Sequence, residues 1–320
     1  MTFPLLTGCD LVADIGGTNA RFAIDDGAGG FVRERVLPCN EFATFVDAYR
    51  DYCTKQQVQP LRVAIAIANP VLADEIKMTN HHWSFSIAAT RAELGLAVFK
   101  LINDFEALAL SLPFLSTTEL RQLGGDDSIA GMVKAVIGPG TGLGVASLAA
   151  HHGQWHALPA EGGHVSYPAQ NDREWQLMQQ LQHQFDGHIS AERLISGPGL
   201  VLIHQGLAAV DGVTIESLTA ADITARALAD KDARCRETLE LFCAALGNVA
   251  GNLALTVGAR GGVYIGGGVV PRLGEFFHRS GFRAAFESKG RFNRYLAPIP
   301  VYVIHSPTPA FIGAARSLAA

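Results

Sequence analysis

Two short glycine turns carry residue types that could hold a phosphate chain. Gly16-Gly17-Thr18 and Gly140-Thr141-Gly142 each place small residues beside a threonine hydroxyl. A phosphate chain needs several converging backbone N–H groups, and glycine allows that close backbone approach. The alternative is a tight β-turn in which glycine only supplies positive φ, and for one isolated turn that interpretation would be the better one. Two matched turns, together with a carboxylate at Asp14 that could reach a metal ion, favour phosphate binding.

An asparagine–aspartate pair follows a predicted strand over residues 98–102. A carboxylate at such a strand end, here Asp104, could accept the proton of a hydroxyl during phosphoryl transfer. The amide of Asn103 can both donate and accept, as a sugar hydroxyl requires. The alternative is that the pair only caps the short helix predicted over residues 105–112, and for a lone Asn-Asp pair that would be the better interpretation.

Three further polar residues could bind sugar hydroxyls. Glu161 and His164 flank a Gly-Gly turn, and Glu192 begins a later predicted helix. Charged acceptors bind hydroxyls more strongly than neutral ones. The alternatives are a helix-dipole role for Glu192, and a half-buried imidazole or a metal ligand for His164.

Strands must position these residues, and the sequence repeats one strand–turn–strand pattern. The first copy spans residues 11–24 and the second spans residues 133–147. Aligning Thr18 with Thr141 superposes the copies, although only the first has an acid, Asp14, in the strand before its turn. This weak repeat predicts two related lobes that face each other and each offer a glycine turn to one ligand.

Hydrophobic periodicity and glycine and proline signals predict the remaining elements. The predicted strands are 63–68, 98–102 and 262–265, and a glycine turn at 266–268 follows the last of them. The predicted helices are 41–56, 105–112, 173–185, 191–194, 221–230, 233–257, one that opens at Pro271, and 309–320. No linker or charge block marks a boundary, so we expect the C-terminal helix to return to the first lobe.

Common nucleotide and hydrolase motifs are absent from the sequence. The chain has no Gly-Lys dipeptide and therefore no Walker A motif. The dinucleotide-binding fingerprint Gly-x-Gly-x-x-Gly is also absent, because it requires glycine at its sixth position. Counted from Gly138 that position is Leu143, and counted from Gly140 it is Val145. No Gly-x-Ser-x-Gly elbow occurs, so the sequence offers no support for serine-hydrolase chemistry.

The bulk properties fit a well-buried α/β protein with two lobes. The chain has 320 residues, of which 48% are hydrophobic and 17% charged, and its net charge is -5. No basic run marks a nucleic-acid surface. The five cysteines form no C-x-x-C pair, and the start lacks the basic region of a signal peptide, so we expect a reduced, cytoplasmic protein.

The long predicted helix at 233–257 is not expected to cross a membrane. Arg236, Glu237 and Glu240 lie within it. Gly247-x-x-x-Gly251 in the same helix predicts close packing against another helix rather than a ligand site.

Longer motifs resemble a known family. Asp14-x-Gly-Gly-Thr-Asn-x-Arg21 and Gly138-Pro-Gly-Thr-Gly-Leu-Gly144 resemble the two phosphate motifs of the actin/hexokinase/Hsp70-type ATPases, and Gly262–Gly268 resembles their adenosine segment. From about Leu11 to the end, the chain resembles the bacterial ATP-dependent glucokinases. Segments that match are Thr79–Ser86, Ile102–Phe105, Glu161–His164 and Ser190–Gly199.

The resemblance implies a two-lobed actin-like (ribonuclease H-like) α/β fold with an interlobe cleft. Its small domain would comprise residues 1–114 with about 305–320, and its large domain residues 115–304. It also implies ATP and Mg²⁺ as cofactors, a homodimer, a cytoplasmic role in glycolysis, and Asp104 as general base for glucose phosphorylation. The sugar ligands implied are Asn103, Asp104, Glu161, His164 and Glu192. The nucleotide ligands implied are Asp14, Gly16, Gly17, Thr18, Asn19, Gly138, Gly140, Thr141, Gly142 and Gly267, with Asp14 also holding the metal, directly or through water.

Three alternatives stay open at this level. Another hexose, such as mannose or fructose, could be the preferred substrate. A sugar-responsive repressor of the related ROK group is disfavoured, because a strand that starts near Leu11 leaves no room for a helix-turn-helix. The zinc loop of that group is also missing, so His164 is interpreted as a metal-free sugar ligand. A filament-forming or chaperone-like ATPase would share the fold but would not need the sugar residues.

Overall fold

In the computed structural model, which describes residues 4–79 and 81–319, the chain divides into two units. Unit 1 comprises the residues up to Leu115 together with those from Ser306 onward, and unit 2 comprises Ser116–His305. Each unit has its own sheet, helices and hydrophobic core.

The sheet of unit 1 has five strands. A separate two-stranded hairpin lies in the sequence between the fourth and fifth of them. The bounds are β1 Leu6–Ile15, β2 Asn19–Asp25, β3 Phe31–Pro38, β4 Val58–Ile67, β5 Glu75–Lys77, β6 Ser84–Ser86 and β7 Val98–Asn103. The order across the sheet is β3-β2-β1-β4-β7, and β5 pairs only with β6. β1 is antiparallel to β2 and parallel to β4, which is parallel to β7. The parallel strands β1, β4 and β7 therefore end at one edge of the sheet.

Three helices of unit 1 alternate with these strands: α1 Phe45–Gln56 precedes β4, α2 Ile87–Leu94 precedes β7, and α3 Asp104–Ser111 follows β7. The prediction that the first of these starts at Glu41 is wrong. Thr44 has extended backbone and forms a capping box with Asp47, so the helix begins at Phe45. Residues 39–41 instead form one short 3₁₀ turn.

The sheet of unit 2 has six strands. Their bounds are β8 Leu120–Gln122, β9 Lys134–Pro139, β10 Leu143–His151, β11 Gln154–Ala160, β12 Val263–Ile265 and β13 Val301–Ile304. The order is β11-β10-β9-β12-β13-β8. β9 is antiparallel to β10 and parallel to β12, which is parallel to β13.

The two sheets confirm the predicted internal repeat. In each, the first strand of an antiparallel three-stranded meander (β1–β3 or β9–β11) pairs with a parallel strand, which in turn pairs with a further parallel strand. The glycine turn joins the first two strands in both copies. Sequence pattern, rather than identity, revealed this relationship.

Unit 2 contains nine α-helices in the part of the chain that the structure describes. They are α4 Asp172–Leu181, α5 Ala191–Leu194, α6 Gly197–Val210, α7 Ala220–Leu228, α8 Ala233–Val257, α9 Val270–Leu273, α10 Glu275–Arg279, α11 Phe282–Glu287 and α12 Asn293–Leu296. Glycines in the first turn of α6 masked it from the sequence prediction. Ser196 caps this helix through the N–H of Gly199, and Pro198 fits its first turn, where no N–H is needed.

The longest helix, α8, is apolar and long enough to cross a membrane by length and composition alone, but 61% of its apolar window is buried in unit 2. A Cβ at Gly247 would lie 2.1 Å from the carbonyl oxygen of Phe282, and one at Gly251 would lie 2.4 Å from that of Phe286. Both oxygens belong to α11. The prediction that this glycine pair serves helix packing is confirmed.

The last helix, α13 Pro309–Ala319, packs within unit 1. Phe311 and Ala314 are buried with Val12, Ala23 and Ala64 of the sheet. A Cβ at Gly313 would lie 1.8 Å from the carbonyl oxygen of Ala107 in α3, so the two helices touch through their backbones. The C-terminal segment therefore completes the unit that the N-terminal strands begin.

Candidate active site

The first glycine turn joins β1 to β2 at the edge where the parallel strands of unit 1 end. Ile15 pairs with Ala20, and the N–H of Gly16 donates to the carbonyl of Asn19 at 3.0 Å. Gly16 does not have φ in the left-handed region, and Thr18 and Asn19 are exposed. The simple β-turn interpretation, in which glycine only supplies positive φ, therefore does not explain Gly16.

Asp14 and Asp104 lie near each other in unit 1. Asp14 pairs with Ala66 of β4, and Ala66 pairs with Ile102 of β7, which leads into α3. Burial raises the pKa of Asp104 to about 6, with a smaller contribution from the negative charge of Asp14. The N–H of Phe105 opposes this rise by donating to Oδ1 of Asp104 at 3.0 Å.

Asp14 also faces a cation on the neighbouring strand. Burial raises the pKa of Asp14, whereas Arg21 lowers it. An Arg21 guanidinium nitrogen lies 4.0 Å from the Asp14 carboxylate and another lies 2.8 Å from Glu34. The guanidinium also stacks over the Phe311 ring at 5.1 Å. Arg21 is thus fixed beside Asp14 by a second carboxylate and by α13.

Asn103 is the N-cap of α3. Its Oδ1 accepts from the N–H of Phe105 at 2.9 Å and of Glu106 at 3.3 Å. Its amide nitrogen donates to the carbonyl of Asn69 at 3.4 Å, which is a weak contact. Asn103 therefore caps α3, whereas Asp104 is the first residue of the helix and its Oδ1 also accepts from the N–H of Phe105.

The second glycine turn joins β9 to β10 in unit 2. The N–H of Gly140 donates to the carbonyl of Gly142 at 2.8 Å, and Thr141 is exposed. Neither glycine has φ in the left-handed region, and a Cβ at Gly140 would meet nothing within 4 Å. The bare backbone of Gly140 therefore leaves open space beside it, which a ligand could use.

The third glycine segment packs directly onto this turn. A Cβ at Gly138 would lie 2.6 Å from the carbonyl carbon of Gly266, and one at Gly267 would lie 2.4 Å from the carbonyl oxygen of Pro139. Gly267 also has a φ of +75°. The proposed phosphate and adenosine segments thus form one continuous glycine-rich surface at the ends of β9 and β12.

Two glycines allow the Glu161–His164 turn to pack closely against β10. A Cβ at Gly163 would lie 2.1 Å from the carbonyl oxygen of Leu143, and one at Gly162 would lie 2.9 Å from the side chain of Val145. Glu161 and His164 remain exposed, with 3.9 Å between His164 Nε2 and Glu161 Oε2. Close packing of the glycines therefore presents both polar side chains to solvent on the same turn.

Glu192 makes a contact that the sequence did not reveal. Its Oε2 accepts from the N–H of Leu143, directly after the second glycine turn, at 2.8 Å. The N–H of Ala191 donates to the carbonyl of Val165 at 2.8 Å. This bond holds α5 beside the segment that follows His164. A long-range side chain to backbone contact leaves no local sequence signal.

The structure therefore groups the predicted residues in two sets. Unit 1 holds Asp14, Gly16, Gly17, Thr18, Asn19, Asn103 and Asp104, and unit 2 holds Gly138, Gly140, Thr141, Gly142, Glu161, His164, Glu192 and Gly267. Within residues 4–79 and 81–319, no group of three or more His, Cys, Asp or Glu residues could hold a metal ion.

Comparison with known proteins identifies the family. The glucokinase family model matches residues 11–320. A glucokinase of Chromobacterium violaceum is 53% identical over 313 residues, which cover 97% of this chain and 89% of the relative.

Solved structures agree in fold. A glucokinase from an Antarctic psychrotroph is 36% identical, with a TM-score of 0.88 and coverage of 97% of this chain and 98% of that one. A ROK family glucokinase from Streptomyces griseus, solved with glucose and AMPPNP, has a TM-score of 0.64 at 18% identity over 97% of this chain and 99% of that one, and so is similar in fold alone. The repeated sheets, the glycine turns and these matches together place the chain in the glucokinase family, with the actin-like ATPase fold.

Proposed function

We propose that Asp104 is the general base in the ATP-dependent phosphorylation of glucose that this chain catalyses. The observation that carries this proposal is a half-buried carboxylate at the end of β7 whose pKa burial raises to about 6. Such a group is ionised at neutral pH yet is more basic than an exposed aspartate, as a general base should be. Asp104 would accept the proton of the 6-hydroxyl as that oxygen attacks the γ-phosphorus and the bond from the γ-phosphorus to the departing ADP breaks.

The glycine turns are the proposed phosphate ligands. Gly16, Gly17, Thr18 and Asn19 in unit 1, and Gly138 with Gly140, Thr141 and Gly142 in unit 2, offer backbone N–H groups and hydroxyls. Gly267 would contact the nucleoside. The open space beside Gly140 supports this role, as does the AMPPNP bound in the Streptomyces griseus relative.

Asp14 is the proposed protein ligand for Mg²⁺. This ion keeps several water ligands and is usually bound through one or two carboxylates plus substrate phosphates, so a single carboxylate beside a phosphate turn fits it. When bound, Mg²⁺ neutralises charge on the β- and γ-phosphates. Burial raises the pKa of Asp14, and Arg21, at 4.0 Å, partly offsets this rise and so favours the ionised carboxylate that binds the ion.

Four side chains are the proposed sugar ligands besides Asp104: Asn103, Glu161, His164 and Glu192. Because Oδ1 of Asn103 caps α3, only its amide N–H groups remain to donate to a sugar oxygen. Glu161 and His164 are exposed on one turn and can meet a ligand without rearranging the core. The glucose bound in the Streptomyces griseus relative supports a sugar as that ligand.

A coupled assay of sugar 6-phosphate formation tests the activity and the base together. We expect strong ATP-dependent turnover with glucose and much weaker turnover with mannose or fructose. Asp104→Asn should lower kcat by about 10²–10⁴, because a positioned general base typically contributes that much. Turnover by Asp104→Asn at the wild-type rate would exclude Asp104 as the base, and ATP hydrolysis that ignores sugar would exclude the kinase.

Family resemblance also supports a homodimer that acts in cytoplasmic glycolysis. Light scattering of the purified chain would measure its mass in solution directly. A mass near 34.0 kDa would contradict the dimer.

A further inference from the structure

The second glycine turn is held in place from outside its own hairpin. Leu143, the residue after the turn, donates its N–H to Oε2 of Glu192 at 2.8 Å. Gly140, at the start of the turn, accepts from the N–H of Gly197 at 2.8 Å. Both contacts come from the segment that spans α5 and the start of α6. This segment, rather than the strands alone, therefore determines where the turn lies.

Glycine at position 142 is what allows the Glu192 contact. A Cβ there would lie 2.5 Å from Glu192 Oε2. The carboxylate thus occupies the space that any larger residue would fill. A hydrogen bond from a backbone N–H to an ionised acceptor is stronger than one between neutral groups. Glu192 is half-buried, so water competes only partly for this bond.

We propose that Glu192 is a positioning residue for the phosphate-binding turn, in addition to its role as a sugar ligand. Oε2 orients the N–H of Leu143 and thereby fixes the turn Gly140–Gly142, while Oε1 keeps its capacity to accept from a sugar hydroxyl. One carboxylate then serves both substrates of the reaction. This inference rests on the proposed function, because it assumes that the turn binds the phosphates of ATP.

The two roles separate in a binding experiment without sugar. A residue that only binds sugar does not affect the affinity for a nucleotide when sugar is absent, whereas a residue that positions the turn does. We would measure AMPPNP binding with Mg²⁺ to the full chain by calorimetry in the absence of glucose. The variants are Glu192→Gln, which keeps the reach of the acceptor but not its charge, and Glu192→Asp, which keeps the charge but not the reach.

We expect Glu192→Asp and Glu192→Ala to weaken AMPPNP binding about tenfold, or about 1.4 kcal/mol, because the turn loses its anchor. Glu192→Gln should stay within about threefold of wild type, because its amide oxygen still reaches Leu143. Glu161→Ala is the matched control, since Glu161 is a proposed sugar ligand with no bond to the turn, and it should leave the AMPPNP dissociation constant unchanged. All four variants should weaken glucose binding.

Equal AMPPNP affinity in wild type, Glu192→Asp and Glu192→Ala would overturn the positioning role while leaving the proposed function intact. Wild-type affinity in Glu192→Asp, together with a defect in Glu192→Ala, would also overturn it, because reach to the N–H of Leu143 would then not matter. Failure of wild type itself to bind AMPPNP would instead overturn the proposed function. If Glu192→Ala does not fold, the Gln and Asp variants still decide the question.

Discussion

The carboxyl group of Asp104 is subject to opposing influences that set its proton affinity. Burial and the nearby charge of Asp14 raise its pKa, and the N–H of Phe105 lowers it, with a balance near 6. The same value that makes the group a better base also makes its ionised form costly in the folded protein. Activity and stability therefore depend on this one residue in opposite ways.

Activity should depend on pH through Asp104. Only the ionised carboxylate can accept the hydroxyl proton, so kcat/KM for glucose should fall about tenfold per pH unit below a midpoint near pH 6. A pH profile of initial rates at constant MgATP measures the midpoint. Because Asp14 raises the pKa of Asp104, the residual activity of Asp14→Asn should show a midpoint at lower pH. A flat wild-type profile down to pH 5 would contradict the assignment.

Asp104→Asn should be more stable than wild type at alkaline pH. Since the folded pKa of about 6 exceeds the usual value of 3.8, the folded state binds more protons than the unfolded state between these values. The free energy of unfolding of wild type should therefore fall as pH rises through this window and stay lower above it. The gain in the variant is at most about 3 kcal/mol at pH 8 and should shrink toward pH 4. Urea denaturation at both pH values measures the difference in the free energy of unfolding between the variant and wild type. An equal difference at pH 8 and pH 4 would contradict the ionisation of Asp104 as its cause.

The sequence predicted the position of Asp104 but not its environment. A carboxylate between a buried strand and a helix can be recognised from hydrophobic pattern alone. Its pKa depends on Asp14, far away in the sequence, and on burial that tertiary packing creates. The same limit applies to Glu192. Its hydrogen bond joins it to Leu143, which is far away in the sequence, and no local sequence pattern predicts such a contact.

At the scale of elements, glycines determine how closely the segments of unit 2 approach. Gly138 and Gly267 bring the ends of β9 and β12 together, and Gly163 lets the Glu161–His164 turn cross β10. Each of these contacts involves backbone atoms, which cannot move aside as a side chain can. The glycine-rich motifs are therefore as much packing motifs as ligand motifs.

Two adjacent glycines offer a matched test of this role. Gly267→Ala places a Cβ 2.4 Å from a carbonyl oxygen at a φ of +75°, whereas a Cβ at Gly268 would meet nothing within 4 Å. Gly267→Ala should lower the free energy of unfolding by about 1 kcal/mol or more and raise KM for ATP, because the turn must move. Gly268→Ala should resemble wild type in urea denaturation and in kinetics. Similar unfolding free energies and similar KM values for ATP in the two variants would show that close backbone packing at Gly267 does not determine these properties.

Element boundaries were the least predictable part of the fold. The periodic pattern from residue 41 predicted a longer first helix, but the Thr44–Asp47 capping box sets its start at Phe45. Glycines at 197 and 199 concealed α6, although its Ser196 cap and Pro198 are helix-start signals. By contrast, α8 was predicted with its observed ends, because Asp232 caps it and Gly258 ends it in the left-handed region.

At the scale of the molecule, two sheets of like topology have diverged in chemistry. The strand before the first turn carries Asp14, while its counterpart in unit 2 carries no acid. Unit 1 also depends on α13, whose Phe311 is 1% exposed and lies with its ring centroid 5.4 Å from that of Phe31, in a tilted arrangement. This part of the core of unit 1 therefore includes residues from both ends of the described chain.

Removing one ring from α13 should destabilise unit 1. Phe311→Ala should lower the free energy of unfolding by about 3–5 kcal/mol, the usual cost of a buried phenylalanine. In a Trp155→Phe, Trp175→Phe background, the fluorescence of buried Trp83 reports urea denaturation of unit 1. Phe292→Ala, at a side chain 46% exposed in unit 2, is the control and should change little. A Phe311→Ala curve that overlays the parent would show that α13 contributes little to this core.

The position of α13 in the chain also sets the order in which the protein can assemble on the ribosome. Synthesis proceeds at about 5–20 residues per second, and domains generally fold as units while they emerge. Every residue of unit 2 is made before α13, which covers one face of β1 and β4. β13, whose Val301 and Val303 belong to the core of unit 2, ends at Ile304, and α13 begins at Pro309, so both cores are completed only near the end of synthesis. A message broken within the stretch that encodes Ser116–His305 therefore yields a product that lacks α13 as well as part of unit 2.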